Sequence, residues 1–260
     1  MGTGNQKGGI IVMYLHYIIT SSSYSIGKRI ALHYVVKKNM LIKYKSIVER
    51  IIEECGRDVS IATHIIETES NDWNSIIIKD LFFKNIELID NIELFIKLIQ
   101  NDRNLTGTDV AKYILNKINC THLKLQKIVY MCYADYLCTE NKKLFDDTIL
   151  AYNYGPVISS VYNKYKKYKS KEIYKIDDEN TLNAIVSEMP AKSRILFAKD
   201  GIDKITSINS TIEKYKNCSA SCLVDITHRN ETPWKITMLN GNATISDDNI
   251  LKFHKNEKFV

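Results

Sequence analysis

Residues 151–171 read AYNYGPVISSVYNKYKKYKSK, a glycine-proline pair followed by tyrosines and lysines in tight alternation. Proline presets the backbone angle of a first helical turn, and a preceding glycine tolerates angles that other residues avoid. The spacing therefore predicts a helix that begins at Pro156. On it, Val157, Val161, Tyr165 and Tyr168 form one stripe at helical intervals. Lys164, Lys166, Lys167 and Lys169 take the remaining circumference, with Lys171 just beyond. The stripe reads as an inner face and the lysines as a solvated basic surface. An acidic partner or nucleic acid is the alternative occupant of that surface.

Upstream, residues 148–154 alternate as a short strand does. Before them, THLKLQKIVYMCYADYLC (residues 121–138) places Leu125, Ile128, Val129, Cys132 and Tyr136 on one helical face, so this is a core helix. Thr121 can cap it. The polar segment QNDRNLTGTD, residues 100–109, offers Thr106 or Thr108 as a cap and marks a boundary. The helix after it buries Val110, Ala111, Ile114, Leu115 and Ile118. Downstream, Ile205, Ile208, Ile212 and Tyr215 define an amphipathic helix. Ser219 can cap another that carries Cys222, Leu223 and Ile226 inward, ends at His228 and is stopped by Pro233. Ser246 can cap a last helix through Ile250, Leu251 and Phe253. Residues 170–193 read as a polar crossing with one short helix.

The first hundred residues give a helical periodicity over 41–55 and a strongly apolar run over 75–100, read as two helices broken near Lys84 and Asn85 or as one continuous helix with a wide buried face. Residues 8–19, GGIIVMYLHYII, are a buried strand or helix behind a glycine-rich leader; a signal segment is the alternative, with His16 and two tyrosines against it. The expected fold class is mainly α. It comprises a compact multi-helix domain over 104–260, with a short β-strand or hairpin before the Y-G-P-V corner, and a mostly helical region over 1–103.

The net charge is +6 over 260 residues. Residues 1–104 hold 13 Lys+Arg against 12 Asp+Glu, and the remainder 23 against 18, so the basic excess belongs to the second part. That excess permits nucleic-acid binding without demanding it. No run reaches the ~20 apolar residues of a membrane span. Six scattered cysteines in a chain of this size read as free thiols in a reducing cytoplasm. Cys218 and Cys222, with His228 nearby, lack the second pair that a structural zinc site usually shows, and read as buried structural thiols. Asp225 and His228 could pair at i, i+3, yet no nucleophile elbow, H-E-x-x-H or phosphate loop accompanies them. No cofactor and no enzymatic activity are expected.

Three segments in order resemble the Panacea domain family, the SocA-like antitoxin domain. THLKLQKIVYMCYADYL is similar to its T-x-x-K-L-Q-K-L-x-Y helix, KKLFDDTILAYNYGPVISSVYNKYKK to its Y-G-P-V signature, and LVDITHRNETPWKIT to its closing TH…PW element. Leu150, Tyr152 and Asn153 depart from the acidic or tryptophan residues the family carries before Y-G-P. The motif positions are Lys124, Gln126 and Tyr130, then Tyr154, Gly155, Pro156 and Tyr162, then Thr227, His228 and Trp234. They are candidate partner-binding residues. Bland roles stand beside them: a corner for Tyr154, Gly155 and Pro156, a helix C-cap for Thr227 and His228, and a core seal for Trp234.

The resemblance covers about residues 106–253. It implies a non-catalytic antitoxin that binds a cognate toxin from a neighbouring gene, masking it or delivering it to a protease, as such proteins on phages and plasmids do. Members of the family neutralise unrelated toxins, so residues 1–103, outside the resemblance, are candidates for partner specificity. A nucleic-acid-binding regulator and a phage-borne modulator of a host protein are the alternatives.

Overall fold

The computed structural model describes residues 12–37, 41–174 and 188–258. The leader over residues 1–9 and residues 175–187 of the polar crossing lie outside them. The chain divides into two compact units, Met1–Arg103 and Asn104–Val260.

In the first unit, β1 (Tyr14–Ser23) and β2 (Lys28–Val36) form an antiparallel hairpin, in register from Leu15 opposite Val36 to Ser23 opposite Lys28. Asp102 holds the turn: its carboxylate accepts from Ser23 Oγ at 2.9 Å and from the Tyr24 and Ser25 N–H groups at 2.8 and 3.0 Å. After α1 (Leu41–Cys55), β3 (Ile61–Thr68) pairs antiparallel with β1. After α2 (Trp73–Lys79) and a 3-10 turn at Leu81–Phe83, β4 (Ile86–Leu88) pairs parallel with β2. The sheet order is β3-β1-β2-β4, and α3 (Ile92–Arg103) closes the unit.

This four-stranded mixed sheet overturns the mainly α expectation and the helical reading of residues 1–103; the protein is mixed α/β. The physical reason is double burial. Leu15, Tyr17 and Ile19 pack with Ile51 of α1 and Phe95, Ile96 and Ile99 of α3. The intervening Ile18 packs on the other face with Ala31, Ile76 of α2 and Phe83. A strand covered on both faces reads as a continuous apolar run, without the alternation that betrays a half-buried one. The two-helix reading of 75–100 corresponds to α2 and α3, which the 3-10 turn at Leu81–Phe83 and β4 separate.

The second unit is built around one helix. α4 (Gly107–Lys117) starts in a capping box, with Thr106 Oγ1 accepting from the Asp109 N–H and the Asp109 carboxylate accepting from the Thr106 N–H. A two-residue strand, β5 (Cys120–Thr121), leads into α5 (His122–Glu140), capped by Thr121. Next come β6 (Ile149–Tyr152), β7 (Gly155–Ile158), α6 (Ser159–Tyr165), a 3-10 turn at Lys166–Tyr168 and β8 (Glu172–Ile173), which pairs with β5. The rest is α7 (Glu188–Leu196), α8 (Gly201–Tyr215), α9 (Ala220–Thr227), α10 (Pro233–Leu239), α11 (Asp247–Phe253) and a 3-10 turn at His254–Glu257.

α5 is packed by α4, α8, α9, α11 and β7, and every residue from Leu125 to Leu137 is buried. Its apolar side chains contribute roughly 1.5–3 kcal/mol each on full burial. The complete enclosure also buries Gln126, Lys127 and Asp135, which need partners inside.

Two local expectations change. Residues 155–158 are extended and pair with 149–152, so the helix begins at Ser159 and not at Pro156. Val157, Val161 and Tyr165 are still buried, with Tyr168 packed at the margin, but the stripe spans a strand and a helix. Pro233 does more than stop α9: it occupies the first turn of α10, with Thr232 as the cap.

Candidate functional site

The β6–β7 hairpin turns at Asn153 and Tyr154, and side chains from three distant segments hold it. From α5, Gln126 brackets Ile158, donating to its carbonyl at 3.3 Å and accepting its N–H at 3.0 Å. One residue on, Lys127 Nζ donates to the Pro156 carbonyl at 2.9 Å. From the end of α9, His228 Nε2 faces the Asn153 carbonyl at 3.1 Å while Nδ1 faces the Val224 carbonyl at 2.7 Å. From α10, the Trp234 indole N–H donates to the Tyr152 carbonyl at 2.8 Å, with its ring 3.7 Å from the His228 ring, centroid to centroid.

Gly155 is the tightest point. Its φ is +98°, and a Cβ there would stand 2.8 Å from Thr227 Oγ1 and 2.9 Å from Lys127 Nζ. Only glycine meets both demands. Thr227 in turn is locked in place, its carbonyl accepting from Thr232 Oγ1 at 2.7 Å.

Between this hairpin and the first turns of α5 lies an open cleft of about 500 Å³. His122, Gln126 and Lys127 line it from α5, Tyr152 and Tyr154 from the hairpin, and Tyr162 from α6. Tyr162 packs at an angle against both His122 and Tyr152, with ring centroids 5.2 and 5.9 Å away. Tyr154 is 71% exposed. Lys127 is fully buried, and burial pulls its ammonium down to about pH 7, with Glu257 opposing the shift. Burial, and then the charge of Lys127, lower His122.

Gln126, Tyr154, Gly155, Pro156, Tyr162, Thr227, His228 and Trp234 are thus brought together. Lys124 and Tyr130 are not. Lys124 Nζ donates to the Lys216 carbonyl at 2.6 Å. Tyr130 belongs to a buried polar chain, donating its hydroxyl to Glu257 at 2.9 Å. His254 stands between two carboxylates there, its Nδ1 2.7 Å from Glu257 and its Nε2 3.1 Å from Asp135. Asp135 also accepts from Thr211 Oγ1 at 2.7 Å and Lys214 Nζ at 3.2 Å. Burial alone would raise Asp135, but the bonds from His254 and Thr211 outweigh it and hold the carboxyl at about 2. This chain fastens the C-terminal turn to α5.

The basic stretch stands apart from the cleft's floor. Lys166, Lys167, Lys169 and Lys171 are exposed and Lys164 half-buried. Lys164, Lys166 and Lys167 lie over the rings of Tyr165, Tyr162 and Tyr168 at 5.6, 5.7 and 5.0 Å. Among the described residues, no three His, Cys, Asp or Glu converge as a metal site requires, and no helix is long and apolar enough to cross a membrane.

Sequence reasoning missed Lys127, Tyr152 and Asn153 at the site, and Asp135, His254 and Glu257 beneath it. Lys127 carried a signal: a cation inside the core helix, flanked by Gln126 and Ile128. Asn153 gave none, because its backbone carbonyl is what the site uses.

Comparison with known proteins adds to this geometry. Residues 125–235 match the family described as Antitoxin SocA-like, Panacea domain. The chain is similar to Antitoxin SocA of Caulobacter vibrioides (strain NA1000 / CB15N), 27% identical over 156 residues that cover 56% of this chain and 77% of that protein. No solved structure matches. The hairpin, Gln126, Lys127, Thr227, His228 and Trp234 all fall inside the matched span, which lies within the second unit.

Proposed function

We propose that this protein is an antitoxin that neutralises a cognate toxin by direct binding, with the hairpin cleft and its tyrosines as the contact surface. One observation carries the reading. Gln126, Lys127, His228 and Trp234 spend hydrogen bonds on holding a hairpin, leaving its tyrosines, Tyr152 and Tyr154, exposed beside an open cleft. Exposed, rigidly backed tyrosines are favoured interface anchors, because they add large contact area at low entropy cost. The relative's name, Antitoxin SocA, supports the same class. The six cysteines, all free, suit a reducing cytoplasm.

Co-expression of the neighbouring gene's product is the direct test. The toxin alone should arrest growth, and the pair should not. Tyr154→Ala combined with Tyr152→Ala should restore toxicity while the antitoxin stays folded. Rescue by direct masking leaves the toxin's half-life unchanged, whereas delivery to a protease shortens it. Residues 1–103 are proposed to contribute partner specificity, so exchange of this unit for that of a relative should redirect neutralisation.

The exposed lysines from Lys166 to Lys171 favour a second reading, nucleic-acid binding through phosphate contacts. A gel shift with upstream DNA at low salt that shows no complex removes it.

A further inference from the structure

We propose that the cleft between α5 and the β6–β7 hairpin is a carboxylate-binding site, and that the contact it makes with a partner protein is an acidic side chain or chain end. The inference rests on the antitoxin reading for its biological partner, but its chemistry stands on three features of the cleft.

The first is the state of Lys127. An ammonium carries three donors. Lys127 Nζ is wholly buried, lines the cleft, and has the Pro156 carbonyl at 2.9 Å as its hydrogen-bond acceptor. Glu257 is the anion near it inside the fold, but no carboxylate lines the cleft, and burial still disfavours the charged form. The second is His122 Nε2, also buried, lining the same cleft and without a hydrogen-bond partner. The third is position. His122, the first residue of the 19-residue α5, lines the cleft, so the cleft lies beside the positive end of that helix. All three favour a negative group.

A carboxylate fits better than a phosphate. Among the lining residues Lys127 is the sole formal cation, with no arginine to grip a dianion in bidentate fashion. The rim is aromatic, with Tyr152, Tyr154 and Tyr162, which suits the apolar atoms of a peptide beside its acid group.

Proton linkage follows from the surroundings of Lys127. The groups that face it are the Pro156 carbonyl of β7, Thr227 of α9, Glu257 of the C-terminal turn and His122 of its own helix. Burial holds the free ammonium at about 7, and an added carboxylate favours the protonated form. Affinity should therefore fall as pH rises above 7, by about tenfold per unit.

The test is a titration of the full chain with N-acetyl-phenylalanine, its amide, N-acetyl-glutamic acid α-amide and inorganic phosphate, followed by backbone amide NMR. Saturable shifts confined to residues around 122–127 and 151–157 with an acid, and absent with N-acetyl-phenylalaninamide, are expected. Binding of N-acetyl-phenylalanine identifies a chain end, and binding of the glutamate derivative a side chain. Lys127→Met should abolish the shifts. Should that variant fail to fold, the pH series on the unaltered protein decides, since an affinity flat from about pH 6 to 9 overturns the site. Equal binding of acid and amide, response to neither carboxylate, or response to phosphate alone also overturns it. No toxin is needed, so the outcomes separate. Carboxylate binding without neutralisation sinks the antitoxin reading, and neutralisation with a silent titration sinks this inference alone.

Discussion

Trp234 donates its indole N–H to the carbonyl of Tyr152 at 2.8 Å across 82 residues of chain, and this bond fixes one side of the β6–β7 turn. His228 fixes the next carbonyl, at Asn153, from beneath the same ring. The closing segment of the domain is thereby a clamp on its central hairpin.

Trp234→Phe keeps an aromatic ring and removes the donor. The Tyr152 carbonyl loses its partner, which should cost ~1–2 kcal/mol. Hydrogen exchange of the β6–β7 amides should accelerate more than that of α5. Uniform acceleration across the second unit would show that the indole acts by packing alone.

Gly155→Ala should destabilise by about 2 kcal/mol or more, since a positive φ and a Cβ closer than 3 Å to Thr227 and Lys127 act together. Gly241→Ala is the internal control. Gly241 has φ +69° with open space around it, so strain alone remains, ~1 kcal/mol. Urea unfolding of both variants measures the gap, and equal losses would exclude the close approach as a cause.

His254→Gln should cost about 3 kcal/mol or more, because Asp135 and Glu257 lose the cation between them. In His254 itself, burial favours the neutral ring, but the two carboxylates prevail and raise its pKa above 6.5. A raised histidine stabilises fully below its unfolded value and loses that stabilisation as pH rises through the folded one. The difference between the unaltered protein and the variant should narrow on going alkaline. Exchange of the α5 amides reports it, and a constant difference would mean the ring is neutral throughout.

The first unit should respond to acid. His16 Nδ1 and His33 Nε2 lie 2.8 Å apart on the α2 face of the sheet, so one must accept while the other donates. Burial lowers both, His33 to about 4 with His16 contributing. A lowered histidine takes up a proton on unfolding, so stability is lost as pH falls from 6.5 towards 4, by at most ~1.4 kcal/mol per pH unit for each ring. His33→Gln should flatten that slope in unfolding melts of the first unit. An unchanged slope would place the acid sensitivity elsewhere.

Helix starts were legible because capping is local. Thr106, Thr121, Ser219 and Ser246 each accept an N–H three residues ahead, and any reader of the chain can see both partners. The core positions of α4 and α8 were legible for the same reason, through spacing, whereas α5, read as one apolar face, is buried all round from Leu125 to Leu137. The motif residues were legible by resemblance, although their convergence on one hairpin was not. Lys124 and Tyr130, which belong to the same motif helix, turn to other faces of α5 and serve other contacts.

What the sequence determined alone is a set of capped, apolar-faced helices in the second unit and the family that they resemble. Tertiary structure decided the rest: the mixed sheet of the first unit, the extended Gly155–Ile158 strand in place of a helix start, and the cleft with Lys127 at its floor. The reason is range. A cap spans three residues, but Lys127 finds Pro156 29 residues away and β1 finds β3 through register set by burial on both faces. Such pairings depend on what packs against each segment, and that information lies in other parts of the chain.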